Sequence, residues 1–165
     1  MKLKTRDIVY IGFIAALCAV ATTIRIEVPG GAMVHLGSAA LFTTSILFGG
    51  LYGGLGAAIG SALFDLFGGH TQYIVFSFFI KGIAGLIVGG LTAGYLPPSI
   101  NKPTASFGRI LVALITGAIW TAFGYFLAWW FVLESAVVAA SKIQYSLITS
   151  AAGIVVAVVL TPKLQ

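Results

Sequence analysis

Asp65, in "IGSALFDLFGGH" (59–70), is the single Asp, Glu, Lys or Arg between Glu27 and Lys81. A carboxylate in so apolar a run is costly unless something compensates it, and the next charge along the chain is Lys81. At helical spacing Asp65 shares a stripe with Ser61, Ala57 and Gly54, and Lys81 shares one with Tyr73, Ser77, Gly85 and Gly89. Stripes of small and polar residues face other helices, so both charges point into a bundle. The segments meet at a short turn, "GGHTQ". Asp65 lies roughly 5 Å from that turn and Lys81 roughly 12 Å down the next helix, within reach of a lysine stem extending back. The two charges either pair with each other or approach one ligand. His35, His70, Gln72 and Tyr73 gather at the same end, and polar side chains converging on one rim read as a binding pocket. Tyr125, Trp129, Trp130 and Glu134 close the fifth apolar run, where an interfacial belt competes with a ligand cage. Gln144 and Tyr145 open the last run from that side.

Other chemistries lack their residues. The sequence holds no GxxxxGK[ST] phosphate loop, no HExxH and no GxSxG, and only one carboxylate at helical depth where an intramembrane aspartyl protease needs two. Two histidines and one cysteine make no standard metal site. Neither enzyme activity nor a metal or cofactor is expected.

The elements that must position these residues are membrane spans. Of 165 residues 59% are hydrophobic and 8% charged, and the mean hydropathy is +1.08, beyond any ordinary water-soluble domain. One integral membrane domain over 1–165 with short loops is expected, and any energising module is then another chain. The net charge of +5 is scattered and flanks apolar runs, which points to lipid headgroups and topology rather than nucleic acid. Cys18, alone, allows no intrachain disulfide. "MKLKTR" and the run after it resemble a signal peptide, but Arg25 and Glu27 mark the outer end of a retained helix.

Six apolar segments emerge: about 8–24, 36–48, 51–67, 73–95, 107–133 and 143–160. Read as one helix, 36–67 would run about 48 Å, so two short helices joined at "GG" fit better. The fold class is therefore all-α: six transmembrane helices in a compact bundle, with N and C termini on one side. Lys2, Lys4, Arg6, Lys102, Arg109 and Lys163 fall on that side, which the positive-inside rule places in the cytoplasm. Arg25, Glu27, Asp65, His70, Glu134 and Lys142 fall near the other face. Pairs of small residues four apart, among them Gly50/Gly54, Gly56/Gly60, Gly85/Gly89 and Ala15/Ala19, predict close helix seams.

The succession "VHLGSAALFTTSILFGGLYGGLGAAIGSALFDLFGG" followed by "FFIKGIAGLIVGG" resembles the substrate-binding S components of energy-coupling factor (ECF) vitamin transporters. It is most similar to the riboflavin-type branch that includes pyridoxine and hydroxymethylpyrimidine carriers. The resemblance implies an outward-opening vitamin pocket capped by the loop "RIEVPGGAMVH", with Pro29, Gly30 and Gly31 suiting a movable lid. It also implies an AxxxA surface, here Ala15 and Ala19, for a membrane coupling subunit (EcfT-type), and two ABC-type ATPase subunits (EcfA-type). The chain departs from the family at the start of the last helix, where "SKIQYSLITSAAG" replaces a Pro-x-Asn-x-x-Gln pattern and Gln144 and Tyr145 stand in for that contact.

The expected function is capture of a small water-soluble vitamin or precursor outside a bacterial plasma membrane, pyridoxine or hydroxymethylpyrimidine ahead of riboflavin. Two other classes stay open: a proton-coupled carrier titrating Asp65, and a ligand-free assembly protein in which Asp65 and Lys81 only neutralise each other.

Overall fold

The computed structural model describes residues 4–28, 32–95 and 105–164. Six α-helices follow in order: α1 (Thr5–Thr23), α2 (Gly37–Phe48), α3 (Gly50–Phe67), α4 (Ile74–Thr92), α5 (Phe107–Leu133) and α6 (Ala136–Leu164). A 3-10 turn, Thr71–Tyr73, leads into α4. Among the described residues, five helical segments are long and apolar enough to cross a membrane. The sixth, α2, has 12 residues, about 18 Å of helix, too short for a crossing of its own.

That shortness follows from where α2 sits. It packs against α1, α3, α4 and α6, and most of its residues, from Gly37 to Ile46, are buried. A helix with no charge and no distinct polar face, whose hydroxyls at Ser38, Thr43, Thr44 and Ser45 are all buried, belongs in a core, so α2 has little face to give to lipid. Around it the others adjoin in the sequence α1, α3, α4, α5, α6.

The small residues form the expected seams, and α3 uses three faces for three neighbours. A Cβ on Gly85 would come within 2.6 Å of the Gly54 Cα, and one on Gly89 would strike the Gly50 backbone, so α3 and α4 touch main chain to main chain. Gly56 lies against Ile14 and Gly60 against the Ala15 carbonyl and Cys18 of α1. Gly53 faces Ser45 of α2. Gly49 turns the chain from α2 into α3 at φ 84°, a left-handed conformation that glycine adopts without steric cost. The free amides opening α3 are met from the far end of α4: Gly50 donates to the Gly94 carbonyl (2.9 Å) and Leu51 to that of Tyr95 (3.0 Å).

One end of the bundle is thereby defined. Tyr52 donates to Asp7 Oδ1 at 2.6 Å, and Arg109 donates to the Leu91 carbonyl, so the starts of α1, α3 and α5 gather with the end of α4. Lys4 and Arg6 belong to this end; Lys2 and Lys102 lie outside the described residues. At the opposite end the segment expected as a plain lid loop forms an antiparallel hairpin, β1 (Arg25–Val28) and β2 (Ala32–His35), with Arg25 opposite His35 and Val28 opposite Ala32. "RIEV" and "AMVH" bring β-branched residues to a period-two pattern between turn residues, which favours strands over coil. Pro29, Gly30 and Gly31 lie outside the described residues.

Candidate functional site

The glycine seam fixes α3 and α4 as a unit, and that unit carries both charges of interest. Asp65, on the last turn of α3, is 7% exposed; Lys81, two turns into α4, is 4% exposed. They line one pocket at the hairpin end of the bundle, away from Lys4, Arg6 and Arg109. Thr22 enters it from α1, Met33 and His35 from β2, Ser61, Phe64 and Asp65 from α3, and His70 and Tyr73 from the connecting turn. Ser77 and Lys81 come from α4, Thr121, Tyr125 and Trp129 from α5, and Ser146 and Thr149 from α6. The space between these walls, its open mouth included, is about 720 Å³.

Asp65 and Lys81 do not pair. Among the described residues an ion pair within 4 Å joins Arg25 and Glu27 on the hairpin, at 2.8 Å, and none joins Asp65 to Lys81. Lys81 instead donates from Nζ to Ser38 Oγ of α2 (3.1 Å), and its ammonium sits 5.4 Å from the centre of the Tyr125 ring. The Tyr125 hydroxyl in turn shares a 3.0 Å hydrogen bond with Ser77. Arg25 lies 5.1 Å over the Phe64 ring, which stacks on His70 at 6.0 Å, tying the hairpin to the end of α3.

Three polar atoms in the wall are buried without a hydrogen-bond partner: Asp65 Oδ2, His70 Nε2 and Thr149 Oγ1. Thr43, Ser45, Ser150 and Thr161 also bury an unpartnered hydroxyl, but away from the cavity; the three in the wall differ in bordering a space where a polar ligand can meet them. His35 is satisfied, since its Nδ1 accepts the Gly37 amide hydrogen at 3.1 Å. Burial and the nearby charges of Lys81 and Arg25 push its imidazole down from 6.5 to about 3, so it is neutral at physiological pH.

Of the residues singled out in the sequence, His35, Asp65, His70, Tyr73 and Lys81 meet in this pocket. Gln72 and Gln144 are exposed and Tyr145 lies outside the wall. The cause on α6 is register: the helix starts at Ala136 rather than near Ile143, which leaves Gln144 and Tyr145 off its inward face. That face carries Ala139, Lys142, Ser146, Thr149 and Gly153, all buried. The same stripe logic that located Asp65 finds Ser146 and Thr149 once it is applied to α6. The belt and cage readings of the aromatics divide between neighbours. Tyr125 and Trp129, with ring centres 5.6 Å apart, face the pocket, whereas Trp130 is exposed.

Ala15 is buried against Gly60 and Ala19 is half-buried, so this pair follows the α1–α3 seam rather than an open surface. On the open face of α1 stand Gly12, Phe13, Ala16, Leu17 and Val20. Nothing lies within 4 Å of where a Gly12 Cβ would be.

Comparison with known proteins adds three findings. A family described as "ECF-type riboflavin transporter, S component" matches residues 2–165. A solved structure described as "Structure and mechanism of the S component of a bacterial ECF transporter" superposes with a TM-score of 0.74 at 17% identity, covering 98% of this chain and 96% of that one, which is a likeness of fold. An "Uncharacterized protein in gap 3'region" from Pyrococcus woesei is 33% identical over 103 residues, 62% of this chain; the match spans 63% of that relative's length.

Proposed function

We infer that this chain, which belongs to the family of S components of ECF-type riboflavin transporters, uses the pocket at its hairpin end to capture a small water-soluble vitamin or precursor. As a member of that family it is a substrate-binding transport subunit and not an enzyme. The observation that carries the reading is the pocket itself: a cavity lined from all sides of the hairpin end, aromatic on the α5 side, with three buried polar atoms in its wall that have no partner in the protein. Pyridoxine or hydroxymethylpyrimidine is the favoured ligand and riboflavin the alternative. A compact ring bearing hydroxymethyl groups meets Asp65, Lys81, His70 and Thr149 at its edge and Tyr125 and Trp129 at its face.

In this reading six helices embed in the plasma membrane, with α2 at the centre, and the end holding Lys4, Arg6 and Arg109 is cytoplasmic. The pocket then opens outward beneath the hairpin. The partners are a membrane coupling subunit and two ABC-type ATPases, consistent with the absent phosphate loop. The open face of α1, with Gly12 and Ala16 four residues apart, is the docking surface for the coupling subunit; of the expected pair, Ala15 is buried against Gly60 of α3 and Ala19 is half-buried.

The alternative of a self-sufficient proton-coupled carrier predicts uptake by this chain alone, abolished by a protonophore. Uptake that instead needs the coupling subunit and ATPases rejects that alternative. Mass spectrometry of the molecule released from purified protein, followed by titration with pyridoxine, hydroxymethylpyrimidine, thiamine and riboflavin, tests the capture reading itself. Tight binding without ATP supports it, and failure of all four to bind, with nothing released, defeats it.

A further inference from the structure

Resting on the capture reading, we propose that Arg25 is a positioning residue: it clamps the hairpin to the end of α3, and release of that clamp sets how fast the pocket exchanges its contents with the outside.

Both strands leave the helices at one point. β1 follows α1 after Ile24, β2 runs into α2 at Leu36, and the Leu36 amide donates to the Ile24 carbonyl at 3.2 Å. In the antiparallel register Arg25 stands opposite His35 and Glu27 opposite Met33, so these four side chains share one face of the hairpin. His35 and Met33 line the pocket, while Ile26, on the other face, is 71% exposed. Arg25 and Glu27 therefore stand on the face turned toward the pocket. β2 packs on α6 and α1, and Arg25 supplies a link to α3.

That link has three parts. The guanidinium carbon lies 5.1 Å from the centre of the Phe64 ring, and Nη1 is 3.7 Å from where a Gly68 Cβ would be. Phe64 and Gly68 are one turn apart at the end of α3, whose last carbonyls form the negative pole of the helix, so the cation is favoured by the ring face and by the helix end together. Glu27 Oε1 adds an ion pair to Nη2 at 2.8 Å. The Arg25 side chain is 25% exposed and that of Glu27 65%, so the carboxylate holds the cation from the solvent side while Phe64 holds it from within. A planar guanidinium stacks and forks at once, which a lysine ammonium does not do.

The clamp lands on the pocket wall itself. Phe64 lines the cavity, stacks on His70 at 6.0 Å and immediately precedes Asp65. Its contacts are individually weak, each shifting an equilibrium only a few-fold. The α3–α4 seam is instead packed main chain to main chain and has no slack. Opening therefore falls to the contact between Arg25 and Phe64.

The test is the rate at which iodoacetamide alkylates a pocket thiol, with the full chain in detergent. Ser146→Cys in a Cys18→Ala background reports on the wall, where Ser146 is buried, and Gln144→Cys in the same background reports on an exposed site of the same helix. Arg25→Gln is expected to speed alkylation of the Ser146→Cys variant roughly 3- to 30-fold and to leave the Gln144→Cys rate unchanged. Arg25→Lys keeps the charge, loses the planar stack and should fall between. Phe64→Leu should also speed the reaction, with little further gain when Arg25→Gln is added, because the two side chains act as one contact. Equal rates for Ser146→Cys with and without Arg25, equal acceleration at both reporters, or fully independent effects of Arg25→Gln and Phe64→Leu overturns the inference. Mass spectrometry of the co-purified molecule decides the capture reading separately, since the alkylation rates need no ligand.

Discussion

Thr149 Oγ1 is buried in the pocket wall with no hydrogen-bond partner, a condition that costs stability until something meets it. Valine has nearly the same shape and no hydroxyl. Thr149→Val should therefore leave the ligand-free protein as stable or more so, by up to about 1 kcal/mol, while weakening ligand binding roughly 5- to 30-fold. Thermal unfolding with and without ligand reads both effects, and unchanged affinity would remove Thr149 from the site. His35 supports a pH prediction of definite sign. Its folded-state value lies near 3 and its unfolded value near 6.5, so between those limits the unfolded chain binds a proton that the folded one does not. The contribution is fully present above pH 6.5 and is lost progressively as pH falls below it. One proton limits the slope to about 1.4 kcal/mol per pH unit, and solvent at the half-buried ring lowers it further. His35→Asn, which keeps an acceptor for the Gly37 amide, should flatten that slope in denaturation measured between pH 5 and 7.

Between elements, glycines decide how closely helices approach. A methyl on Gly89 meets the Gly50 backbone, which cannot rotate away, so Gly89→Ala should destabilise by about 1–3 kcal/mol and loosen the α3–α4 unit that carries Asp65 and Lys81. Gly12→Ala meets nothing within 4 Å and should leave stability unchanged or raise it by up to about 1 kcal/mol through helix propensity. Gly12→Leu combined with Ala16→Leu should leave ligand affinity intact and block uptake in cells that hold the coupling subunit. Uptake at the native rate would place the docking surface elsewhere. At this scale the sequence was informative because its two signals, apolar length and small residues four apart, are dictated by the bilayer and by helix geometry. The ends of α2, α3, α4 and α5 fall within about three residues of where apolar length puts them. The start of α6 was hidden because Ser141 and Lys142 look like a boundary, yet both lie within the helix, Lys142 on its buried face. The hairpin was hidden by its shortness, since four-residue strands carry little pattern.

For the whole molecule, the same reasoning explains which parts of the site were visible. Asp65 and Lys81 stood out because a charge among apolar residues needs a reason, His70 and Tyr73 lie close to them along the chain, and His35 opens the second apolar run at the same end. Their relation did not: whether they pair depends on Ser38 and Tyr125, which reach Lys81 from α2 and α5 across large sequence separations. Thr22, Thr121, Ser146 and Thr149 were silent because hydroxyls are common on helices and usually bond their own backbone, as Thr22 and Thr121 do here. The central claim is that this single chain, without nucleotide or partner, holds one vitamin-sized heteroaromatic molecule between Asp65, Lys81 and the α5 aromatics. Native mass spectrometry of the full chain released from detergent tests it most directly. The account predicts one such molecule per chain in the wild type and a sharply reduced bound fraction in Asp65→Asn. A wild-type chain that emerges empty, and remains empty after incubation with pyridoxine, hydroxymethylpyrimidine, thiamine and riboflavin, contradicts it.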